Sequence, residues 1–421
     1  MKFYIYNLGC KVNSYESNVM KDNLINNGFI YSDCNSADVI IINSCTVTNT
    51  ADNKTMKLIR HVRNNYECIL VVVGCFVQAK RDDLSSIPGD ILLGNRFKSD
   101  VSSYIKKFLV DHERIENVVD VSNVKFETMV LNNYDHTRAF IKIQDGCNNF
   151  CSYCIIPFTR GNVRSKSRDE VLSEARELVL NGHKEIVLTG IHTGNYGCEF
   201  DNYDFACLLN DLVKIDGLNR LRISSIEITE INDRVIDIIR DNDVLVDHMH
   251  IPLQSGCDTV LSLMNRKYDM KYFFNKIAAL RAIRPNISIT TDVIVGFPGE
   301  TDEMFLETVE NIKKIKFTKL HVFPYSRRSG TKADLMDNQI DECIKKKRAR
   351  VLLDLSRELE IEYMNKFKGK TVSFIPEVLK DGYLIGHTGN YLLVKCKGND
   401  LCHDSIDVKI KGIDYPYCIG E

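Results

Sequence analysis

Hydrophobic positions along the chain fall into three successive textures. In the first hundred or so residues, short apolar runs alternate with stretches of mixed polarity. Residues 3–7, 39–43 and 69–74 read as strands, and the last two are apolar at nearly every position. Continuous apolar runs of that kind fit parallel strands covered on both faces. Between them, residues 14–26 and 51–64 predict helices, the second placing Met56, Ile59 and Val62 on one side. This is the pattern of a small open α/β domain. Residues 111–135 are polar and irregular and predict a connector.

A second alternating series follows, with strands at 138–143, 184–190, 221–225, 248–251, 288–295 and 319–323 separated by helical stretches such as 168–181. Six strands of this spacing predict a partial (β/α)6 barrel, open on one side. A long helix is predicted over 341–367, and helical periodicity then disappears. Segments 371–375, 391–396 and 406–410, broken by Gly382, Gly386, Gly389 and Gly398, predict a small antiparallel β-barrel. The chain is thus of the α/β class. It divides into an α/β domain at 1–112, a connector at 113–135, a half-open barrel at 136–366 and a β-barrel at 367–421.

Composition narrows the class of protein. A chain of 421 residues is too long for one core, and 44% hydrophobic with 27% charged residues is the balance of a soluble globular protein. The longest apolar run is about ten residues, against the roughly twenty needed to span a bilayer. The N-terminus lacks a secretory pattern, so a cytoplasmic protein without a membrane partner is expected. A net charge of −2 does not announce a nucleic-acid binder. The basic cluster at 345–350, with Lys366, Lys368 and Lys370 beyond it, reads either as a solvated helix face or as a phosphate-contacting surface.

The fifteen cysteines carry the chemistry. Cys147, Cys151 and Cys154 follow a Cys-x3-Cys-x2-Cys spacing. Thiolates are the ligands of iron–sulfur clusters, and a cube held by three of them keeps one iron open for reaction. Zinc sites favour paired Cys-x2-Cys units, but no second pair lies near Cys154, and His183 and His192 are far outside finger spacing. Cys10, Cys45 and Cys75 each follow one of the first three strands. Carboxyl ends of parallel strands share one sheet edge, so these thiols too can converge on one metal centre. Cys34 and Cys68 lack that placement, and Cys198, Cys207, Cys257, Cys343, Cys396, Cys402 and Cys418 show no ligand spacing.

With both triads placed, the chain resembles the radical S-adenosylmethionine methylthiotransferases over nearly its whole length. The resemblance rests on Leu-Gly-Cys-Lys-Val-Asn-Ser-Tyr-Glu-Ser at 8–17, Asn-Ser-Cys-Thr-Val-Thr at 43–48 and the segment 144–157 around the second triad. It also rests on 188–197, 250–256, 291–300 and 321–325, of which 188–197 is most similar to the bacterial enzymes acting on threonylcarbamoyladenosine in tRNA. Related enzymes act on isopentenyladenosine or on a ribosomal-protein aspartate, and the alternatives to the threonylcarbamoyladenosine reading are one of those targets or an iron–sulfur RNA-binding protein without turnover. Two departures are Ile228-Thr229, where the family has proline after the glutamate, and a short C-terminal domain, which would be of the TRAM type.

The resemblance implies two [4Fe–4S] clusters: Cys147, Cys151 and Cys154 for the one that binds S-adenosylmethionine, and Cys10, Cys45 and Cys75 for an auxiliary cluster. It implies a tRNA substrate rather than DNA, methylthiolation at C2 of the modified adenosine 37, and an electron donor such as flavodoxin or ferredoxin. The chemistry would be borne by the cofactors, with no side chain assigned as catalytic. Tyr153, beside the cluster ligands, is a neighbour for the adenine. Gly190, Glu227, Gln254 and Gly296 fall at or after barrel strands, where active sites form, and are expected to hold the cofactor. His192 could face substrate or bond within its loop; Asn13, Arg160 and Arg164 could meet cluster sulfur or RNA phosphate.

Overall fold

Six parallel strands open the chain: β1 (Lys2–Asn7), β2 (Ile30–Tyr31), β3 (Val39–Ser44), β4 (Ile69–Gly74), β5 (Ile91–Leu93) and β6 (Ile115–Asn117). They lie in the order β2-β1-β3-β4-β5-β6. The computed structural model describes residues 1–131, 137–401 and 404–421. β3 is buried at every position, and separate apolar clusters cover the two faces of the sheet, one around Ile41 and Val71, the other around Ile40 and Val72. Residues 115–117, expected in the connector, instead form the sheet's last strand. An edge strand needs no continuous apolar run, and half-exposed β6 shows none.

The second series forms two three-stranded parallel sheets. The first contains β7 (Arg138–Lys142), β10 (Glu185–Thr189) and β11 (Arg220–Ile223). The second contains β12 (His248–His250), β13 (Ser288–Val295) and β14 (Lys319–Pro324). A bridge between Leu221 and Leu245 links the β11 side to the approach of β12. Between β7 and β10, the short strands β8 (Gln144–Asp145) and β9 (Arg164–Ser165) pair and bracket the cysteine segment. The helix Lys11–Asn26 packs against β7 from the N-terminal domain: Tyr15 and Val19 belong to the barrel's apolar core, and Tyr15 donates to Met129 O at 2.7 Å.

A long helix, Glu342–Asn365, lies along β14 and leads to a closed five-stranded barrel. Its strands are β15 (Thr371–Lys380), β16 (Tyr383–Thr388), β17 (Leu393–Lys397), β18 (Ile406–Asp414) and β19 (Tyr417–Gly420), in the order β15-β16-β17-β19-β18. It is not wholly antiparallel as expected, because β17 and β19 pair parallel. An odd number of strands cannot close a ring with every neighbour reversed. Cys396 and Cys418 pack in its core, and the expectation for Cys402 falls outside the described residues. This small barrel seats on the base of the larger one: Arg220 donates to His387 O at 3.2 Å and Arg222 to Gly389 O at 3.0 Å. Among the described residues no helix is long and apolar enough to cross a membrane.

Candidate active site between two cysteine triads

β1, β3 and β4 are adjacent and in register, so the loops that follow them emerge side by side. Each delivers one cysteine: Cys10 is the N-cap of the helix Lys11–Asn26, Cys45 follows β3, and Cys75 opens a short helix after β4. The glycines before Cys10 and Cys75 are required. Gly9 has φ +126° and Gly74 φ +105°, and a Cβ on either would stand 2.8 Å from Cys45 Cβ or 2.7 Å from Ser44 O. Burial pushes the Cys45 thiol up to about 11, with Cys75 and then Cys10 contributing by charge repulsion. The three thiols are thus close enough to repel one another as anions.

Cys147, Cys151 and Cys154 line a loop just after β8. Burial pushes Cys154 up to about 12, and Cys151 and Cys147 add to the rise. Each triad is supplied with groups suited to anionic sulfur. Arg266 Nη1 reaches Cys151 Sγ at 3.2 Å, His192 Nδ1 lies 3.7 Å from Cys147 Sγ, and Asn95 Nδ2 donates to Cys75 Sγ at 3.3 Å. Among the described residues no three or more His, Cys, Asp or Glu side chains gather around a single ion's position. Three thiols beside cations and N–H donors match the donor set of an iron–sulfur cube, whose ligands bind different irons. The residues present fit the group in both places.

Between the triads lies a buried ionic network that sequence reasoning missed. Glu16, from the N-terminal helix, accepts from Lys98 at 2.5 Å, Lys142 at 2.7 Å and Arg160 at 2.8 Å. Asp145, two residues before Cys147, meets Lys142 at 2.7 Å, Arg164 at 3.0 Å and Arg160 at 3.1 Å. Burial alone would raise both carboxyls, but Arg160, Lys142 and Lys98 hold Glu16 well below the carboxylate range, and Lys142, Arg164 and Arg160 do so for Asp145. Arg160 also donates to Asn13 Oδ1 at 3.0 Å, and that oxygen lies 3.7 Å from Cys10 Sγ. Asn13, Arg160 and Arg164 are thus internal, which removes the option of RNA phosphate contact. Isolated charges would not be buried so deeply; paired on several sides, they can be.

A cavity of about 260 Å³ opens beside the second triad, lined by Tyr153, Cys154, Gln254, Asp292 and Phe323, with Val47 and Thr48 from the loop after Cys45. Of the expected cofactor residues, Tyr153 and Gln254 are therefore at this cavity, Gln254 with φ +64°. Glu227 pairs with Arg266, the residue that reaches Cys151. Gly190 packs on Gln144, where a Cβ would stand 3.1 Å from the Gln144 side chain. Gly296 lies against Lys345, whose Cγ would be 2.4 Å from an added Cβ, and its N–H donates to Glu300 at 2.6 Å. His192 is tied mainly to other segments and not to its own loop: it pairs with Glu230, and its N–H donates to Gln144 Oε1 at 2.7 Å. Burial opposes its charge, yet Cys147 and Glu230 push its pKa up to about 10. Glu230 ends a short 3-10 helix, Ile228–Glu230, that follows Glu227.

The basic cluster at 345–350 splits between two roles. Lys345 and Arg348 point inward, Arg348 meeting Glu300 at 2.7 Å and Asp302 at 2.8 Å, whereas Lys346, Lys347 and Arg350 are exposed. Arg328 was not singled out from sequence. It donates to Thr46 at 2.7 Å and Asn49 at 2.8 Å and pairs with Asp52 at 2.8 Å, tying the segment after β14 to the loop after Cys45 and the helix that follows. No local spacing signals such a contact across some 280 residues of chain.

A half-open (β/α) barrel with a three-cysteine loop after its first strand defines a radical S-adenosylmethionine enzyme, and residues 141–312 match the Radical SAM superfamily. Residues 2–94 match Uncharacterized protein family UPF0004. Threonylcarbamoyladenosine tRNA methylthiotransferase MtaB of Bacillus subtilis is 42% identical, covering 99% of this chain and 95% of that protein. Its namesake in Thermotoga maritima is 37% identical over 94% and 91%. A tRNA-2-methylthio-N(6)-dimethylallyladenosine synthase of Carboxydothermus hydrogenoformans is 34% identical over 97% and 96%. The chain belongs to the radical S-adenosylmethionine methylthiotransferase family, with S-adenosylmethionine and a [4Fe–4S] cluster as its cofactors. The fold is shared with the radical S-adenosylmethionine methyltransferase TsrM of Kitasatospora setae, at a TM-score of 0.59 and 13% identity, covering 79% of this chain and 77% of that one.

Proposed function

We propose that this enzyme methylthiolates C2 of N6-threonylcarbamoyladenosine at position 37 of tRNA, with one [4Fe–4S] cluster on Cys147, Cys151 and Cys154 and a second on Cys10, Cys45 and Cys75. The observation that carries the reading is the arrangement of two separate thiol triads on either side of one ionic network, with residues from both domains lining one cavity. The names of the relatives most like it over its full length support the nucleoside. When bound, S-adenosylmethionine and the clusters supply the radical chemistry and the sulfur that an aromatic carbon–hydrogen bond requires, beyond the reach of side-chain acids and bases.

The chain's own residues position and enclose. Arg266 and His192 place positive charge at Cys151 and Cys147, which favours anionic sulfur there. Tyr153, Ile294 and Phe323 give the cavity apolar walls that limit water. The Glu16–Arg160–Asp145 network sets the separation of the two triads, and Arg328 holds the loop after Cys45 at the cavity's edge. Gly190, Glu227 and Gly296 act through the neighbours they fit: Gln144, Arg266 and Glu300. A flavodoxin or ferredoxin in the cytoplasm is the proposed electron source.

Nucleoside mass spectrometry of tRNA from a strain lacking this chain tests the substrate. Loss of the methylthio form of threonylcarbamoyladenosine supports the reading, and loss of the isopentenyladenosine derivative overturns it. Iron content tests the clusters: Cys10→Ala and Cys147→Ala should each remove about four irons, one cube, from the reconstituted protein. If one substitution emptied both sites or neither, the two-cluster assignment would fail.

A further inference from the structure

A second cavity, of about 280 Å³, lies at the starts of β12, β13 and β14, against the long helix and the small barrel. The two meet at the pair His250–Asp292, 3.2 Å apart, His250 lining one cavity and Asp292 the other. The second cavity is bounded by Lys11 at the start of the N-terminal helix, by His248, His250 and His321 on the barrel strands, and by Tyr391 from the small barrel. Tyr391 is held flat between His248 and His387, with ring centroids 4.7 and 4.6 Å away, and Arg222 lies 4.9 Å from its ring.

The polar groups of this chamber are unevenly satisfied. Lys319 pairs with Glu360 at 3.1 Å and Arg222 with Glu185 at 2.6 Å. Lys11 has no hydrogen bond or ion pair with any described residue, yet remains solvent-accessible at the chamber wall. His248 Nδ1 and Ser288 Oγ are buried without partners, in side chains 5% and 0% exposed. A built chamber with one cation that has no direct ion-pair partner, and with unspent hydrogen-bonding atoms, suits an anion with polar neighbours. Its volume equals about nine waters at roughly 30 Å³ each, room for a short amino-acid side arm.

We infer that this chamber receives the carboxylate-bearing side arm of the substrate nucleoside, with Lys11 as the counter-ion that selects it. The inference rests on the proposed substrate, whose threonylcarbamoyl group ends in a free carboxylate and carries a hydroxyl and a methyl group. His321 and the unpartnered His248 and Ser288 atoms serve the polar part, while Met364, Leu392 and Leu393 meet the methyl. Position supports the assignment. Lys11 directly follows Cys10, and in adenine C2 and the N6 substituent flank the same ring nitrogen. A base presenting C2 toward the Cys10 side therefore carries its side arm past the next residue.

The test uses anaerobically reconstituted enzyme and three anticodon stem-loop RNAs, bearing threonylcarbamoyladenosine, its methyl ester or plain adenosine, with binding read by fluorescence anisotropy. The wild type should prefer the acid over the ester by about 10- to 100-fold, the strength of one charge-assisted hydrogen bond. Lys11→Gln should reduce that preference to within about twofold while binding of the plain RNA and iron content hold, and Lys11→Arg should restore most of it. His321→Gln, away from the cysteines, should narrow the preference by about fivefold and decides the matter if Lys11→Gln loses iron. If the preference survives Lys11→Gln in iron-replete protein, or His321→Gln where iron is lost, the inference is wrong and the proposed substrate stands. If the wild type does not distinguish either modified RNA from plain adenosine, the proposed substrate itself falls.

Discussion

Glu16→Gln is the sharpest perturbation of the frame that holds the two triads. The substitution keeps size and shape but removes one of two carboxylates facing Lys98, Lys142, Arg160 and Arg164, all buried. Lys98 keeps only a 3.3 Å contact to Asn43, and Arg160 and Lys142 must share Asp145. Breaking a buried pair by removing one partner costs about 3–5 kcal/mol, because the remaining charge stays desolvated. At about 2 °C per kcal/mol for a unit of this size, the melting temperature should fall by about 6–10 °C. Thermal unfolding followed by circular dichroism on the anaerobic, iron-replete protein reads this directly. Glu16→Gln/Arg160→Met should be less destabilised than the two single changes added, since the orphaned guanidinium is gone. A fall below about 2 °C for Glu16→Gln, or strict additivity in the double variant, would refute the network as the joint between the domains.

Acid should close the gap between wild type and Glu16→Gln. A carboxyl held far below its unfolded value of about 4.3 contributes fully above that value and loses its contribution as pH falls through the folded one, so the difference in melting temperature should shrink progressively below about pH 4. Gly9→Ala combines a positive φ with a clash on Cys45 and should empty the first triad alone, halving iron content while the second keeps its cube. Gly194→Ala would put a Cβ 2.2 Å from Glu230 Oε2 and displace the carboxylate from His192. It should cost about 1–3 kcal/mol, and a melting temperature unchanged from wild type would contradict it. Arg328→Met removes three contacts to the loop after Cys45 and the helix that follows it, and should raise the KM for S-adenosylmethionine severalfold with iron content unchanged; an unchanged KM would free that loop of any role at the cavity.

The strands and cysteines were legible because their signals are local. Burial on both faces makes β3 and β4 read as apolar runs, and in a parallel sheet a residue just past a strand's end belongs at the carboxyl edge whatever lies elsewhere. Both triads therefore came from spacing and strand position alone. β6, at an edge and half-exposed, left no such trace, and the parallel closure of the small barrel follows from strand count and not from any segment's composition.

Spacing indicated which atoms would hold iron, and only tertiary structure decided how the two sites are joined. Glu16, Lys98, Asp145 and Arg160 lie on four different elements, and in sequence each is an ordinary charge with no period to mark it. Their burial is tolerated because the chain folds them against one another, a condition that exists only after the N-terminal helix docks beside β7. The same holds for the chamber at Lys11. Its cation follows a cysteine in plain view, but that it forms no ion pair with a described residue, and faces histidines from two strands of the half-barrel, is a property of the assembled fold.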